Sequence, residues 1–369
     1  MKVLQVINSL ATGGAEKLLL DTIPLYRKAE IEMDILLLWD NNHPFTIVLK
    51  ELDCCKVIIL NQSDNYKDIY AISNIFKLRN YLKAYDVAHV HLFPSLYFVR
   101  LAALGVPIQL IFTEHNTQNK RSNNANFRVI ERYCYRGYSK IVCISNEIKS
   151  LYTNYLQMPE KTVVIENGVN LENIVAALPY AKSEILKNHD PAAVLLLQVS
   201  GFRPQKDQDT LIRSLLFLPP NYKVLLVGDG ERKADVKVLV NSLGVEDRVV
   251  FLGVRMDVAS LLKTVDLVVL SSHYEGLSLA SVEGMASGKP FIASDVPGLR
   301  EVVKGAGILF EQGNEKELAA KIQELSDDPI LYDKVASACQ ARAQQFDISL
   351  MVQKHIYLYG ELYNTILNN

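Results

Sequence analysis

Two glutamates, Glu275 and Glu283, stand eight positions apart where an apolar strand gives way to a helical pattern, within Ser271-Ser272-His273-Tyr274-Glu275-Gly276-Leu277-Ser278-Leu279-Ala280-Ser281-Val282-Glu283. A carboxylate can accept hydrogen bonds from two vicinal hydroxyls, so one of this pair could hold the hydroxyls of a sugar and the other those of a ribose. Between them Gly276, Leu277, Ser278 and Leu279 are placed to open the helix, where unpaired amides and the helix dipole favour an anionic phosphate. A second stretch, Gly201-Phe202-Arg203-Pro204-Gln205-Lys206, carries two cations that can converge. Beside a departing diphosphate, Arg203 and Lys206 would neutralise the charge that builds as a glycosidic bond breaks, a task otherwise done by Mg²⁺. Gly13 and Gly14, in Thr12-Gly13-Gly14-Ala15-Glu16, lie at a strand-to-helix turn where a phosphate or sugar can approach backbone N–H groups. The spacing is not G-x-G-x-x-G, which disfavours a dinucleotide.

Three other patterns compete for attention. Asp207-Gln208-Asp209 spells D-x-D, the metal-binding triplet of some transferases, but it starts a helix, where the dipole favours acidic residues without any metal. No metal is expected. His89 and His91 share one face of a strand, yet no acidic or thiol cluster completes a ligand set, so a structural role at the strand end is expected. Between residues 120 and 140 lie Arg121, Arg128, Arg132, Arg136, Phe127, Tyr133, Tyr135 and Tyr138. Arg128, Arg132 and Arg136 recur every fourth residue and share a helical face that could rest on anionic lipid headgroups, giving a peripheral membrane contact. A solvated face with its tyrosines in the core is the plain alternative.

These residues need elements to position them. Lys2–Ile7, Ile31–Leu38, Lys56–Leu60, Val87–His91, Ile108–Thr113 and Lys140–Ile144 read as buried parallel strands with helical stretches between most of them. Such alternation implies βαβ units and a doubly wound parallel sheet, a Rossmann-like fold. The pattern lapses after Asn167-Gly168-Val169-Asn170 into a linker. It then restarts with Val194–Val199, Lys223–Val227, Val249–Leu252, Leu267–Leu270, Pro290–Ala293 and Gly307–Phe310. Two Rossmann-like α/β domains are therefore expected, at 1–172 and 173–349, with a helix at about 350–369 packing back on the first. Open α/β sheets bind ligands beyond the carboxyl ends of their strands, which would place the chemistry in a cleft between the domains.

Composition narrows the function. A length of 369 residues is more than one core usually fills, and 49% hydrophobic with 22% charged residues is the balance of a folded protein. A net charge of -2 gives no general electrostatic case for nucleic acid. Cys54, Cys55, Cys134, Cys143 and Cys339 lack C-x-x-C or zinc-finger spacing and read as reduced thiols. No leader or spanning segment is apparent, so a cytoplasmic location is expected, with the basic helix as a peripheral contact on the membrane face.

Taken in order, Gly13-Gly14, Glu114-His115-Asn116, Ser145, Asn167-Gly168-Val169, Arg203 with Lys206, Val227-Gly228-Asp229-Gly230, Glu275 with Glu283, Gly284-Met285-Ala286-Ser287-Gly288-Lys289-Pro290 and Ser294-Asp295-Val296-Pro297-Gly298 resemble the motifs of glycosyltransferase family 4 over nearly the whole chain. The resemblance implies a GT-B fold and transfer of a sugar from a nucleotide-diphosphate donor, UDP- or GDP-linked, with retention and without metal or other cofactor. The acceptor it implies is a glycan or a lipid-linked molecule in cell-surface polysaccharide synthesis. It assigns Arg203 and Lys206 to the diphosphate, Glu275 to the donor sugar and Glu283 to the ribose, with His115 facing the reacting sugar. The family often has Gly-Phe-Gly-Leu after its first glutamate, whereas this chain has Gly276-Leu277-Ser278-Leu279, a change that bears on donor identity. A nucleotide-sugar epimerase of the same fold, or a silent nucleotide-sugar binding module, is the alternative; the first would release free sugar without an acceptor and the second would leave the donor unchanged.

Overall fold

The structure is a computed structural model, described for residues 1–11, 13–115, 125–186, 192–275 and 278–367. The chain divides into two compact units, Met1–Gly168 with Ile348–Asn369, and Val169–Asp347.

In the first unit, β1 (Lys2–Ile7), β2 (Glu32–Leu37), β3 (Val57–Ile59), β4 (Val87–His91), β5 (Gln109–Glu114), β6 (Lys140–Cys143) and β7 (Thr162–Val164) form one parallel sheet in the order β3-β2-β1-β4-β5-β6-β7. Runs such as Val3-Leu4-Gln5-Val6-Ile7 are buried along their length because helices cover both faces of a parallel sheet. The expected strands form within a residue or two at each end. β7 was not anticipated, being three residues long at the sheet edge.

The second unit repeats the plan with β8 (Val194–Val199), β9 (Tyr222–Val227), β10 (Val249–Gly253), β11 (Leu267–Leu270), β12 (Phe291–Ser294) and β13 (Ile308–Phe310), in the parallel order β10-β9-β8-β11-β12-β13. Val169, Leu171, Ile174 and Leu186, in the stretch expected to be a bare linker, are buried in this unit's core. The reason is local: Asn170 caps the helix Leu171–Ala176, and the spacing of Leu171 and Ile174 turns both inward.

Each sheet changes direction of winding once, between β1 and β4 and between β8 and β11. Loops leaving the carboxyl ends of strands at such a switch point diverge and leave a crevice. Gly13 and Gly14 follow β1, His91 ends β4, Arg203 and Lys206 follow β8, and Glu275 follows β11. Among the described residues, no helix is long and apolar enough to cross a membrane.

Candidate active site

In the second unit the loops after β8, β9 and β11 are stitched together by their backbones. Phe202 N–H donates to Asp229 O at 3.0 Å, and His273 N–H donates to Gln205 O at 2.8 Å. Gly228 and Gly230 make the first approach feasible: with φ of 131° and 155°, a Cβ would lie 2.2 Å from Ser200 O at Gly228 and 2.5 Å from Phe202 O at Gly230. Gln198, buried on β8, donates to Lys206 O at 2.8 Å and accepts from Ser271 Oγ at 3.1 Å, joining the β8 loop to the β11 loop.

That stitching brings Lys206 and Glu275 together. Lys206 Nζ lies 2.5 Å from Glu275 Oε1, and Ser272 Oγ donates to the same oxygen at 2.6 Å. The two side chains are 21% and 9% exposed, so the pair is largely withdrawn from water and its charge-assisted bond is stronger than a surface ion pair. Arg203 is exposed beside Gly201, its Nε 3.8 Å from where a Cβ there would stand. Thus Lys206 is paired with a carboxylate while Arg203 stays in solvent.

Gly276 and Leu277 lie outside the described residues. Ser278 is the N-cap of the helix Leu279–Ala286, its Oγ accepting from Ser281 N–H at 3.4 Å. The serine that departs from the family's usual glycine therefore serves the helix start, a position where serine is favoured. Glu283 sits half-buried on the same helix.

The D-x-D triplet is engaged elsewhere. Asp207 has φ of 43° and caps the helix Gln208–Ser214, accepting from Thr210 N–H at 3.3 Å and from Thr210 Oγ1 at 2.6 Å, and burial raises its carboxyl pKa. Asp209 pairs with Arg232 at 2.9 Å. The two carboxylates thus hold different partners.

In the first unit, Gly13 is the N-cap of the helix Gly14–Lys28, and a Cβ there would stand 2.2 Å from Glu16 Oε2. The Glu16 carboxylate thus lies over this helix start. The same unit holds a polar cluster not evident from the sequence: Gln5 from β1, His89 and His91 from β4, Thr113 from β5, His115 just beyond, Tyr26, and His355 with Tyr359 from the C-terminal helix Ile348–Leu367. His91 Nδ1 is 3.1 Å from His115 Nε2, and His91 Nε2 is 2.9 Å from Gln5 Oε1. His89 Nδ1 meets Tyr359 Oη at 2.7 Å and His89 Nε2 meets Thr113 Oγ1 at 2.6 Å, while Tyr26 Oη meets His355 Nδ1 at 2.7 Å. Burial keeps these imidazoles neutral, pushing His115 down to about 4, His355 to about 3, and His89 and His91 well below 6.5. The strand-end role expected for His89 and His91 therefore widens into a network that ends on His115. A faint signal was available: His355 and Tyr359 are four apart on one face of a helix, and Gln5, His89 and His91 interrupt otherwise apolar strands.

Of the arginine stripe on the helix Ala125–Arg136, Arg136 is exposed. Arg132 is half-buried with Nη2 donating to Tyr155 O at 3.3 Å, and the Arg128 side chain and residues 116–124 lie outside the described residues. Tyr135 and Tyr138 are core residues, fully buried. Among the described side chains here, Val129, Ile130 and Tyr133 are the exposed apolar ones, with Arg100 over the Tyr133 ring at 5.7 Å.

Comparison with known proteins adds to this geometry. Residues 12–173 match the family described as Glycosyltransferase Family 4, and residues 182–345 match Glycosyl transferases group 1. An uncharacterized glycosyltransferase of Methanocaldococcus jannaschii is 30% identical over 321 residues, 83% of this chain and 86% of that one. The UDP-Gal:alpha-D-GlcNAc-diphosphoundecaprenol alpha-1,3-galactosyltransferase of Escherichia coli is 28% identical over 313 residues, 80% of each chain. The crystal structure of Anabaena HepE in complex with UDP-glucose matches with a TM-score of 0.82 and 25% identity, covering 98% of this chain and 100% of that one.

Proposed function

Because the chain belongs to the family-4 glycosyltransferases and has their GT-B fold, we propose that it moves a hexosyl unit from a UDP-sugar to a lipid-linked glycan acceptor with retention and without a metal ion. The observation that carries this reading is the Lys206–Glu275 contact at the β8/β11 switch point, a cation and a carboxylate held side by side. When the C1–O bond to the diphosphate breaks, its electron pair goes to the leaving phosphate oxygen, where Lys206 and Arg203 offset the growing charge. Glu275 accepts hydrogen bonds from donor-sugar hydroxyls; among the described residues none bonds its Oε2. Glu283 holds the ribose, and the amides at Ser278 and Leu279 meet the phosphates. Gly13 and Gly14, with Glu16 over their turn, suit a sugar hydroxyl, and His115 faces the reacting sugar. The acceptor hydroxyl approaches on the face the diphosphate leaves and gives its proton to a phosphate oxygen. The engagement of Asp207 and Asp209 supports the metal-free part of the reading.

The UDP-linked donor is suggested by the UDP and UDP-glucose bound to HepE, and the lipid-linked acceptor by the activity of the Escherichia coli relative. Exposed Val129, Ile130 and Tyr133 are where the first unit would meet the lipid.

The test is incubation with UDP-galactose, UDP-glucose or UDP-N-acetylglucosamine and a synthetic GlcNAc-diphospholipid in excess EDTA, with the product linkage read by NMR. An α-linked product that needs Lys206 supports the proposal, with Lys206→Ala lowering turnover about 10²-fold. Loss of activity in EDTA with recovery in Mn²⁺ refutes the metal-free mechanism. Free epimerised sugar points to an epimerase, and unchanged donor to a binding module.

A further inference from the structure

The polarity of the first unit's histidine network follows from one sulfur atom. Gln5 Nε2 lies 3.4 Å from Met33 Sδ and 3.2 Å from Tyr359 Oη. A thioether has no hydrogen to give, so the Gln5 atom facing it is the amide nitrogen, and the carbonyl oxygen is turned to His91. That oxygen only accepts, so His91 carries its proton on Nε2 and donates it across 2.9 Å. The neutral ring then has a lone pair on Nδ1. His115 Nε2, at 3.1 Å, must be the donor to it.

His115 is neutral as well, burial holding its pKa at about 4. With its one proton on Nε2, the remaining lone pair is on Nδ1, which among the described residues has no partner. We propose that Gln5 and His91 are positioning residues that commit His115 to the Nε2–H tautomer, so that Nδ1 accepts a hydrogen bond from a hydroxyl of the bound sugar. This rests on the reading of His115 as the first unit's contact to the reacting sugar. A neutral acceptor there selects a hydroxyl over a phosphate, in keeping with the Glu16 carboxylate folded over Gly13. Tyr359 takes part from the C-terminal helix: its Oη accepts from Gln5 Nε2 and also meets His89 Nδ1 at 2.7 Å, so a rotated amide would lose the bond from its nitrogen. The second-sphere partner of a histidine commonly decides which nitrogen is free for chemistry.

The experiment uses the full chain with ¹⁵N-labelled histidine and long-range ¹H–¹⁵N correlation at neutral pH, His115 being identified by its loss in His115→Asn. The expected spectrum has a protonated Nε2 and an unprotonated Nδ1 on His115. Alongside it, transfer from UDP-galactose to a GlcNAc-diphospholipid is measured with UDP affinity. His91→Phe removes the acceptor and lowers kcat about 10²-fold, the low end of what a positioned proton-handling group contributes. UDP affinity stays unchanged, and His91→Gln, whose Oε1 can accept the same N–H, restores most of the rate. Gln5→Leu and Gln5→Glu form a second pair with the same expected contrast. A protonated Nδ1 on His115, or equal losses in His91→Phe and His91→Gln and likewise in the Gln5 pair, would overturn the positioning role. Undiminished transfer by His115→Ala would instead overturn the sugar contact itself.

Discussion

Acidification from pH 7.5 to 5.5 should take about 5 kcal/mol from the stability of the first unit. Four imidazoles, His89, His91, His115 and His355, have folded pKa values pushed down from 6.5 by burial. Such a group binds a proton more readily in the unfolded chain, so stability is fully present above pH 6.5 and is lost as the pH falls through 6.5 toward the folded value. For each one the loss over this window is about 1.4 kcal/mol, set by the unfolded titration alone as long as the folded ring stays neutral. Most carboxylates titrate below the window, which leaves the histidines as the main contributors. The chain has one tryptophan, Trp39, buried in the first unit with Nε1 donating to Ser63 O at 2.8 Å. Its fluorescence in a urea titration therefore reports this unit. At a slope of roughly 2–3 kcal/mol per molar, the midpoint should fall by about 2 M. His355→Phe removes one of the four groups, and its midpoint should be correspondingly less sensitive to pH. A midpoint that does not move between the two pH values, or a variant with the full wild-type sensitivity, would refute the reasoning.

Other perturbations have equally direct readouts. Glu283→Ala should weaken UDP and UDP-sugar to a similar extent in calorimetry, because a ribose contact exists before and after transfer; unchanged affinities would remove Glu283 from the site. Gly228→Ala should destabilise the second unit by about 2 kcal/mol or more, seen as a lower Tm, since its Cβ would stand 2.2 Å from Ser200 O at a φ of 131°. Val129→Ser, Ile130→Ser and Tyr133→Ser together should reduce co-sedimentation with liposomes at low and high salt alike, because the loss is of apolar contact; salt-sensitive binding that the triple change leaves intact would shift the contact to the arginines.

The parallel sheets were legible because both of their faces are covered. A strand such as Val194–Val199 is apolar at every position but Gln198, and its reading leaves little choice of element. β7, three residues at an edge, has too little pattern to stand out. Near the site, Gly228 and Gly230 entered through the family resemblance, and Glu275 and Glu283 stood out as carboxylates where an apolar strand gives way to a helical pattern. The direct pairing of Lys206 with Glu275 was not, since it depends on how Gln198 and Ser271 join two loops far apart in sequence. The stripe of Arg128, Arg132 and Arg136 obeyed helical periodicity, yet periodicity does not say which neighbour lies beneath, and Tyr155 O captures Arg132. The histidine network was hidden for a related reason: its members come from three strands, the residue after β5 and two helices, and only the fold puts Gln5 beside Met33 and Tyr359.

The first unit is discontinuous in the chain, residues 1–168 being completed by 348–369. On the ribosome the intervening residues 169–347 must be made before the last helix exists, an interval of roughly 10–35 s at 5–20 residues per second. Throughout it, Gln5, His89 and Tyr26 wait without the Tyr359 and His355 side chains that cover them in the finished protein. The second unit has all its residues in one stretch, so its sequence is complete before that of the first unit. Exchange of the first unit between relatives would likewise have to carry two segments of gene, because a graft that ends at Gly168 would bring the sheet without the helix that seals its polar face.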